Sequence, residues 1–167
     1  MENRIYHPEL LPRRGEWIAW GLSLVSALSL VLLRVRYSKI PFGVYIFVLF
    51  FIFAATSISL GNWMDRHTIL IINQQGIAYK NGIRKTNLEW EDIKEVRVLQ
   101  SRWGKRVQIL GPDSHFEFRT LGKVIYQGEP KGNMGFSQGE EILQTILDQS
   151  GMQKLSQSNQ STTYTHP

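Results

Sequence analysis

The chain has no cysteine among its 167 residues. A disulfide framework, a thiol nucleophile and a thiolate metal site are thereby excluded. Histidine is also scarce. Only His7, His67, His115 and His166 occur, and none is spaced with another histidine or a carboxylate as a metal motif requires. No serine occupies a nucleophile elbow. The glycine-rich stretch 128–139 lacks the strand–glycine–helix order and the Lys-Ser/Thr of a phosphate loop. These patterns point to no metal, no cofactor and no enzyme.

Charge is missing from two long stretches, Trp17–Leu33 and Ile40–Leu60. At about 1.5 Å per helical residue the second spans roughly 30 Å, one hydrocarbon core. The first is shorter, near the lower limit for a span. The six-residue link Arg34–Lys39 makes the two helices antiparallel neighbours. The expectation is a transmembrane hairpin over residues 17–61, with spans 17–33 and 40–60. Arg13-Arg14 before an apolar run would suit a signal peptide. However, Arg34 and Arg36 follow the run, where a small-residue cleavage pattern belongs. With no ionisable residue inside either span, an ion or proton pathway is not expected.

Trp17, Trp20, Tyr37 and Trp63 flank the spans and read as membrane-interface anchors. Ala19, Ser23 and Ala27 form a small-residue face on the first helix, and Ala54, Ser57 and Gly61 a comparable one on the second. Small residues let helices approach closely in lipid. Packing within the hairpin is the simpler use; a homo-oligomer is the other. Arg4, Arg13, Arg14, Arg66 and Lys80 flank the outer ends, against Arg34, Arg36 and Lys39 in the link. That balance places both termini, and the domain that follows, in the cytoplasm.

Net charge is +5 and mean hydropathy only −0.19. Residues 65–167 hold 13 Lys/Arg against 11 Asp/Glu, so the excess basicity lies mostly beside the spans. That suits anionic lipid rather than nucleic acid. Residues 1–16, with Pro8 and Pro12, read as a short irregular polar arm. Residues 62–66 read as a connector.

From His67 onward the pattern changes to short strands. Thr68–Asn73, Ile77–Lys80, Ile83–Leu88, Glu95–Gln100, Arg106–Leu110 and His115–Arg119 are rich in β-branched residues or alternate apolar with polar. Phe116 and Phe118 face the core. Gln74-Gln75-Gly76 reads as a turn with Gly76 free to take positive φ. Asn81-Gly82 reads as a type I′ turn. Val124–Tyr126 is a seventh strand within a glycine-rich loop over 121–136. Ser137 and Glu140 fit a capping box that opens a helix striped by Ile142, Leu143, Ile146 and Leu147. Gly151 stops it. The domain is thus placed at 65–151, and 152–167 reads as a disordered polar tail.

Three segments carry a resemblance. They are Asn73-Gln74-Gln75-Gly76-Ile77, Asn81-Gly82-Ile83-Arg84-Lys85 and Leu88-Glu89-Trp90-Glu91-Asp92-Ile93-Lys94-Glu95-Val96. Together with a two-span hairpin ahead of them, they resemble the bacterial pleckstrin-homology-like (PH-like) membrane proteins. The last segment is similar to that family's apolar, Trp, acidic, Ile step from strand three to strand four. The resemblance implies a membrane protein with a small α+β domain. Its fold would be a bent antiparallel sheet or partly open barrel of about seven strands, capped by a C-terminal helix. It further implies a binding or scaffold module facing the cytoplasm. The loop over 121–136 is longer than that pattern.

The acidic cluster Glu89, Glu91, Asp92 and Glu95 reads as a charged turn, with Asp92 or Glu89 capping a helical step; paired carboxylates for acid–base work are the competing reading. Basic residues give the sharper site. Arg84 and Lys85 follow one turn, and Arg102, Lys105 and Arg106 surround Trp103 in another. Two basic loops with an exposed tryptophan suit anionic headgroups or a partner protein. Expected partners are membrane lipids and another membrane protein or complex. The expected location is a bacterial inner membrane or thylakoid-type membrane. The layout is also similar to assembly factors of photosynthetic complexes, so an assembly or stability factor is the alternative function. A membrane enzyme is the third.

Overall fold

The computed structural model describes residues 3–37, 39–158 and 160–167. Ser38 of the expected link, the first two residues of the expected arm and Asn159 of the expected tail lie outside the described residues. The chain forms two compact units. One covers Pro12–Met64; the other unites the residues before Pro12 with Asp65–Pro167.

The first unit is helical. Helix α1 (Arg14–Arg36) and helix α2 (Phe42–Arg66) are both long and apolar enough to cross a membrane, with only 11% of each apolar window buried. A core helix of a soluble protein hides its apolar face; these leave most of theirs open. Both helices run past the uncharged stretches. Arg34 and Arg36 lie in the last turn of α1, and residues 62–66 belong to α2 instead of a connector. Trp17, Trp20, Tyr37 and Trp63 are all exposed.

Hydrogen bonds join the two helices. The Ser23 hydroxyl lies 2.9 Å from the carbonyls of both Ala19 and Phe51. Near the start of α1, Ser59 Oγ and Asn62 Nδ2 donate to Glu16 at 2.9 and 2.8 Å, and Trp20 Nε1 donates to Ser59 Oγ. The packed face of α1 is the expected one, with Ser23 buried and Ala19 and Ala27 half-buried. The packed face of α2 is not. It follows Val48, Phe51, Ala55, Ser59 and Asn62, while Ser57 and Gly61 are exposed. Ala55 and Ser59 lie one turn apart on a helix face rotated away from Ser57 and Gly61.

The second unit begins with the arm. Strand β1 (Arg4–Tyr6) pairs antiparallel with β2 (Thr68–Ile72), so the N-terminal residues are not irregular. Tyr6 is buried in the core. Beyond it, Glu9 N–H donates to the Gly135 carbonyl at 2.7 Å. Strands β3 (Gly76–Asn81) and β4 (Lys85–Glu89) complete a sheet of order β1-β2-β3-β4. Two turns differ from expectation. Gly76 has no positive φ; a Cβ there would sit 2.1 Å from the Leu88 carbonyl oxygen. Asn73 builds that turn by accepting the Gln75 and Gly76 N–H groups on Oδ1 at 2.9 and 2.8 Å. At the next turn Gly82 alone takes positive φ, at 83°. That is the sign pattern of type II′, not type I′, with Gly82-Ile83 as the central pair.

A 3₁₀ turn (Trp90–Asp92) follows, without a side-chain cap from Glu89. Strands β5 (Glu95–Leu99), β6 (Arg106–Leu110) and β7 (His115–Arg119) form a second antiparallel meander. Strands β8 (Gly122–Tyr126) and β9 (Glu129–Met134) make a hairpin, so the expected loop holds a strand, β9, as well. The positive φ of Gln127 and Gly128 builds its turn. Helix α3 (Gly139–Ser150) begins after Gln138 with no side-chain cap. The Ser137 hydroxyl is engaged by Gln138 Oε1 instead, so the expected capping box is absent. Gly151 ends the helix in the left-handed conformation, φ 66°.

The tail is ordered, contrary to expectation. Strand β10 (Gln153–Gln157) and strand β11 (Ser161–Thr165) form a hairpin, and β11 pairs along the whole of β5. Thr162, Thr163, Tyr164 and Thr165 have high strand propensity despite being polar, and they satisfy the open backbone of β5. The second sheet therefore runs β10-β11-β5-β6-β7. Both of these sheets are open, and β8–β9 stands as a third, two-stranded sheet, so the fold is not a closed barrel. Fully buried Leu70, Ile77, Ile93, Ile109, Ile142 and Ile146 fill the space between them and α3. Tyr79 stacks on Phe116 at 5.2 Å, joining the sheets.

Candidate functional site

The basic loops expected to act together are kept apart by the strand register. Arg84 N–H donates to Asn81 Oδ1, and its guanidinium reaches the His115 carbonyl at 2.7 Å. His115 pairs with Leu110 at one end of the β6–β7 ladder; Arg106 pairs with Arg119 at the other. Five residues of strand, about 13 Å, separate those ends. Arg84 and Lys85 thus form one site; Arg102, Lys105 and Arg106 belong to another.

The second of these is largely neutralised. Lys105 Nζ is 2.8 Å from Glu140, and Arg106 pairs with Glu117 at 2.7 Å. Gln108 Nε2 adds a longer bond to the same carboxylate. Desolvation pushes the Glu117 carboxyl up, but hydrogen bonds from Arg106 and Gln108, with the charges of Arg106 and Arg119, bring it below its ordinary value. A depressed carboxyl stabilises the fold above its unfolded pKa and loses that contribution as pH falls through its folded pKa. Glu117→Gln is therefore expected to flatten the acid limb of the stability curve. Denaturant titration between neutral and acid pH checks this.

Trp103 is not the exposed residue expected. It is half-buried, and its indole nitrogen is enclosed without a hydrogen-bond partner among the described residues. Its loop folds back onto the chain at Thr120–Gly122, where a Cβ on Gly122 would lie 2.2 Å from the Trp103 carbonyl carbon. Sequence reading missed this because nothing local marks a glycine required by distant backbone.

At the first site Lys80 and Lys85 lie directly opposite each other across β3 and β4. Both are exposed, and Ile83 at the turn between them is 66% exposed. An open cleft of about 550 Å³ lies elsewhere, between β1 and the start of α3, lined by Ile5, Tyr6, His7 and Gln138 and closed on one side by the Arg4–Glu141 pair at 3.0 Å. Within the acidic cluster Glu95 holds Arg97, and no group of three or more His, Cys, Asp or Glu residues able to hold a metal occurs among the described residues.

Two large antiparallel sheets and a small third one, a helix packed into their shared core and a Trp-acidic step between β4 and β5 define the architecture. Residues 68–125 match the family model of the bacterial PH domain. This segment is a bacterial PH-like domain. The match runs from β2 into β8; the arm strand, β9, α3 and the terminal hairpin lie outside it. No curated protein matches the chain, and no solved structure does.

Proposed function

We propose that the chain is a membrane-mounted, non-catalytic binding module that displays its PH-like domain to the cytoplasm for a protein partner. One observation carries the reading. β1, ahead of both apolar helices, pairs with β2 behind them. The two ends of the helical segment must then lie on one side of any membrane it crosses, as in a two-span hairpin. Cleavage after α1 would remove Tyr6 from the core, which argues against a signal peptide. The domain is therefore tethered twice, an arrangement that restrains it where it stands.

Two surfaces suit the partner. The outer edge of β4 ends its sheet and leaves backbone groups free for an added strand. The cleft between β1 and α3 is open and shallow, a shape for a protein surface more than for an enclosed small molecule.

Topology and partner are tested together. The absence of cysteine makes every introduced cysteine unique. In intact cells Asn87→Cys is expected to resist a membrane-impermeant maleimide, and Tyr37→Cys, in the link, to react. The opposite pattern places the domain outside the cytoplasm. A photo-crosslinker at Asn87 or Ser137 is then expected to capture the same protein in repeated preparations, and one at exposed Gln74 not to. Equal capture from all three positions removes the binding-surface assignment. Capture of one multisubunit membrane complex would identify the module as an assembly or stability factor.

A further inference from the structure

The register of the first sheet singles out one of its ends. β1 runs from its pairing with Ile72 toward Leu70, so it leaves the sheet at the Thr68 end. β2 enters at that same end, with only His67 between it and α2. Arg66 to Thr68 is at most about 7 Å of extended backbone. Thr68 pairs with Asn81, so the β3–β4 turn also lies there. Every covalent path from this sheet to an apolar helix thus starts beside that turn.

The composition of the turn is unusual for a solvated loop. Ile83 stands at its tip, 66% exposed. Lys80 and Lys85 face each other directly, a like-charge pair that weakens a ladder unless something anionic lies between or beside them. Arg84 is held by a neutral carbonyl and not by a carboxylate. None of the three has an ion pair among the described residues, in contrast to Lys105 and Arg106.

We propose that the β3–β4 turn is the domain's contact with an anionic lipid surface. Ile83 enters the headgroup region, and Lys80, Arg84 and Lys85 meet lipid phosphates. This rests on the membrane-mounted reading and adds to it the site and the ligand chemistry. Because the helices already hold the chain, the contact orients the domain and does not recruit it.

The test uses the full-length chain in vesicles of phosphatidylcholine, with and without phosphatidylglycerol. Ile83→Cys and Gln75→Cys are each labelled with an environment-sensitive fluorophore; Gln75 lies at the opposite end of the sheet. In anionic vesicles the label at 83 is expected to shift to the blue and to be quenched by nitroxide lipids. The label at 75 is expected to stay solvent-like. Lys80→Gln with Lys85→Gln is expected to weaken the contact about 25-fold, about fivefold for each charge near the surface. A solvent-like label at 83, in protein that resists carbonate extraction, overturns the lipid contact and leaves the membrane mounting intact. Equal quenching after both lysines are replaced overturns the contact as well. Extraction by carbonate overturns both readings.

Discussion

Tyr6→Ala is expected to destabilise the domain by about 3 kcal/mol, the scale of deleting a buried aromatic side chain. The residue lies more than sixty positions before the domain it stabilises, across two apolar helices. Tyr6 is 9% exposed and joins the same core as Leu70 and Ile72. Its strand is only three residues long, and Tyr6 is the arm's one buried hydrophobic residue among those described. Removing the ring should also release the β1–β2 pairing and leave the outer backbone of β2 open to water. Urea titration of the full-length protein in micelles measures the first effect. Faster amide exchange over Thr68–Ile72 measures the second. Glu141→Ala supplies the contrast. Its pair with Arg4 is more than half exposed on both sides, and such pairs contribute little. Equal stability of Tyr6→Ala and the unmodified chain would return the arm to the irregular segment that its prolines suggest.

Gly76→Ala is expected to cost about as much, near 3 kcal/mol, at the upper end of ordinary overpacking. The added methyl would meet the Leu88 carbonyl oxygen at 2.1 Å and the Glu89 Cα at 2.7 Å. Both are backbone atoms of the paired strand, so no side chain can swing away. The first sheet would have to open between β3 and β4, or the Asn73 turn would have to shift. A drop in urea midpoint with an unchanged denaturant slope indicates loss of stability alone. Gly128→Ala is the control for strain without crowding. It meets nothing within 4 Å but has a φ of 80°, so its cost comes only from the left-handed conformation, about 1–2 kcal/mol. If Gly76→Ala is no worse than Gly128→Ala, close approach is not the reason for that glycine.

Both predictions depend on contacts between distant parts of the chain, and this is where sequence reading stopped. The two apolar helices were legible because uncharged runs of that length have few other uses. Their ends were not, since residues such as Glu16 and Asn62 continue a helix when another helix offers hydrogen bonds. The meander from Thr68 to Arg119 was legible from alternation and β-branched residues, and so was the stripe of α3. The helix start was misplaced by a plausible box: Ser137 and Glu140 have the right spacing, but Gln138 engages the serine. The arm and the tail were misread for a shared reason. Each is short or polar, with too little apolar pattern to signal a strand, and each becomes one by covering an open sheet edge. The basic residues were identified from sequence, but the strand register divided them. Glu117 and Glu140 then neutralised one group.

Local chemistry alone determined that this chain has two apolar helices, a strand-rich domain behind them and no cysteine chemistry, because charge, periodicity and residue type act within a few positions. Tertiary structure decided which edges are closed, which glycines cannot carry a methyl group and which lysines have no ion pair among the described residues. Those outcomes depend on strand register and backbone approach between residues far apart in the chain, and no window of neighbouring residues contains them.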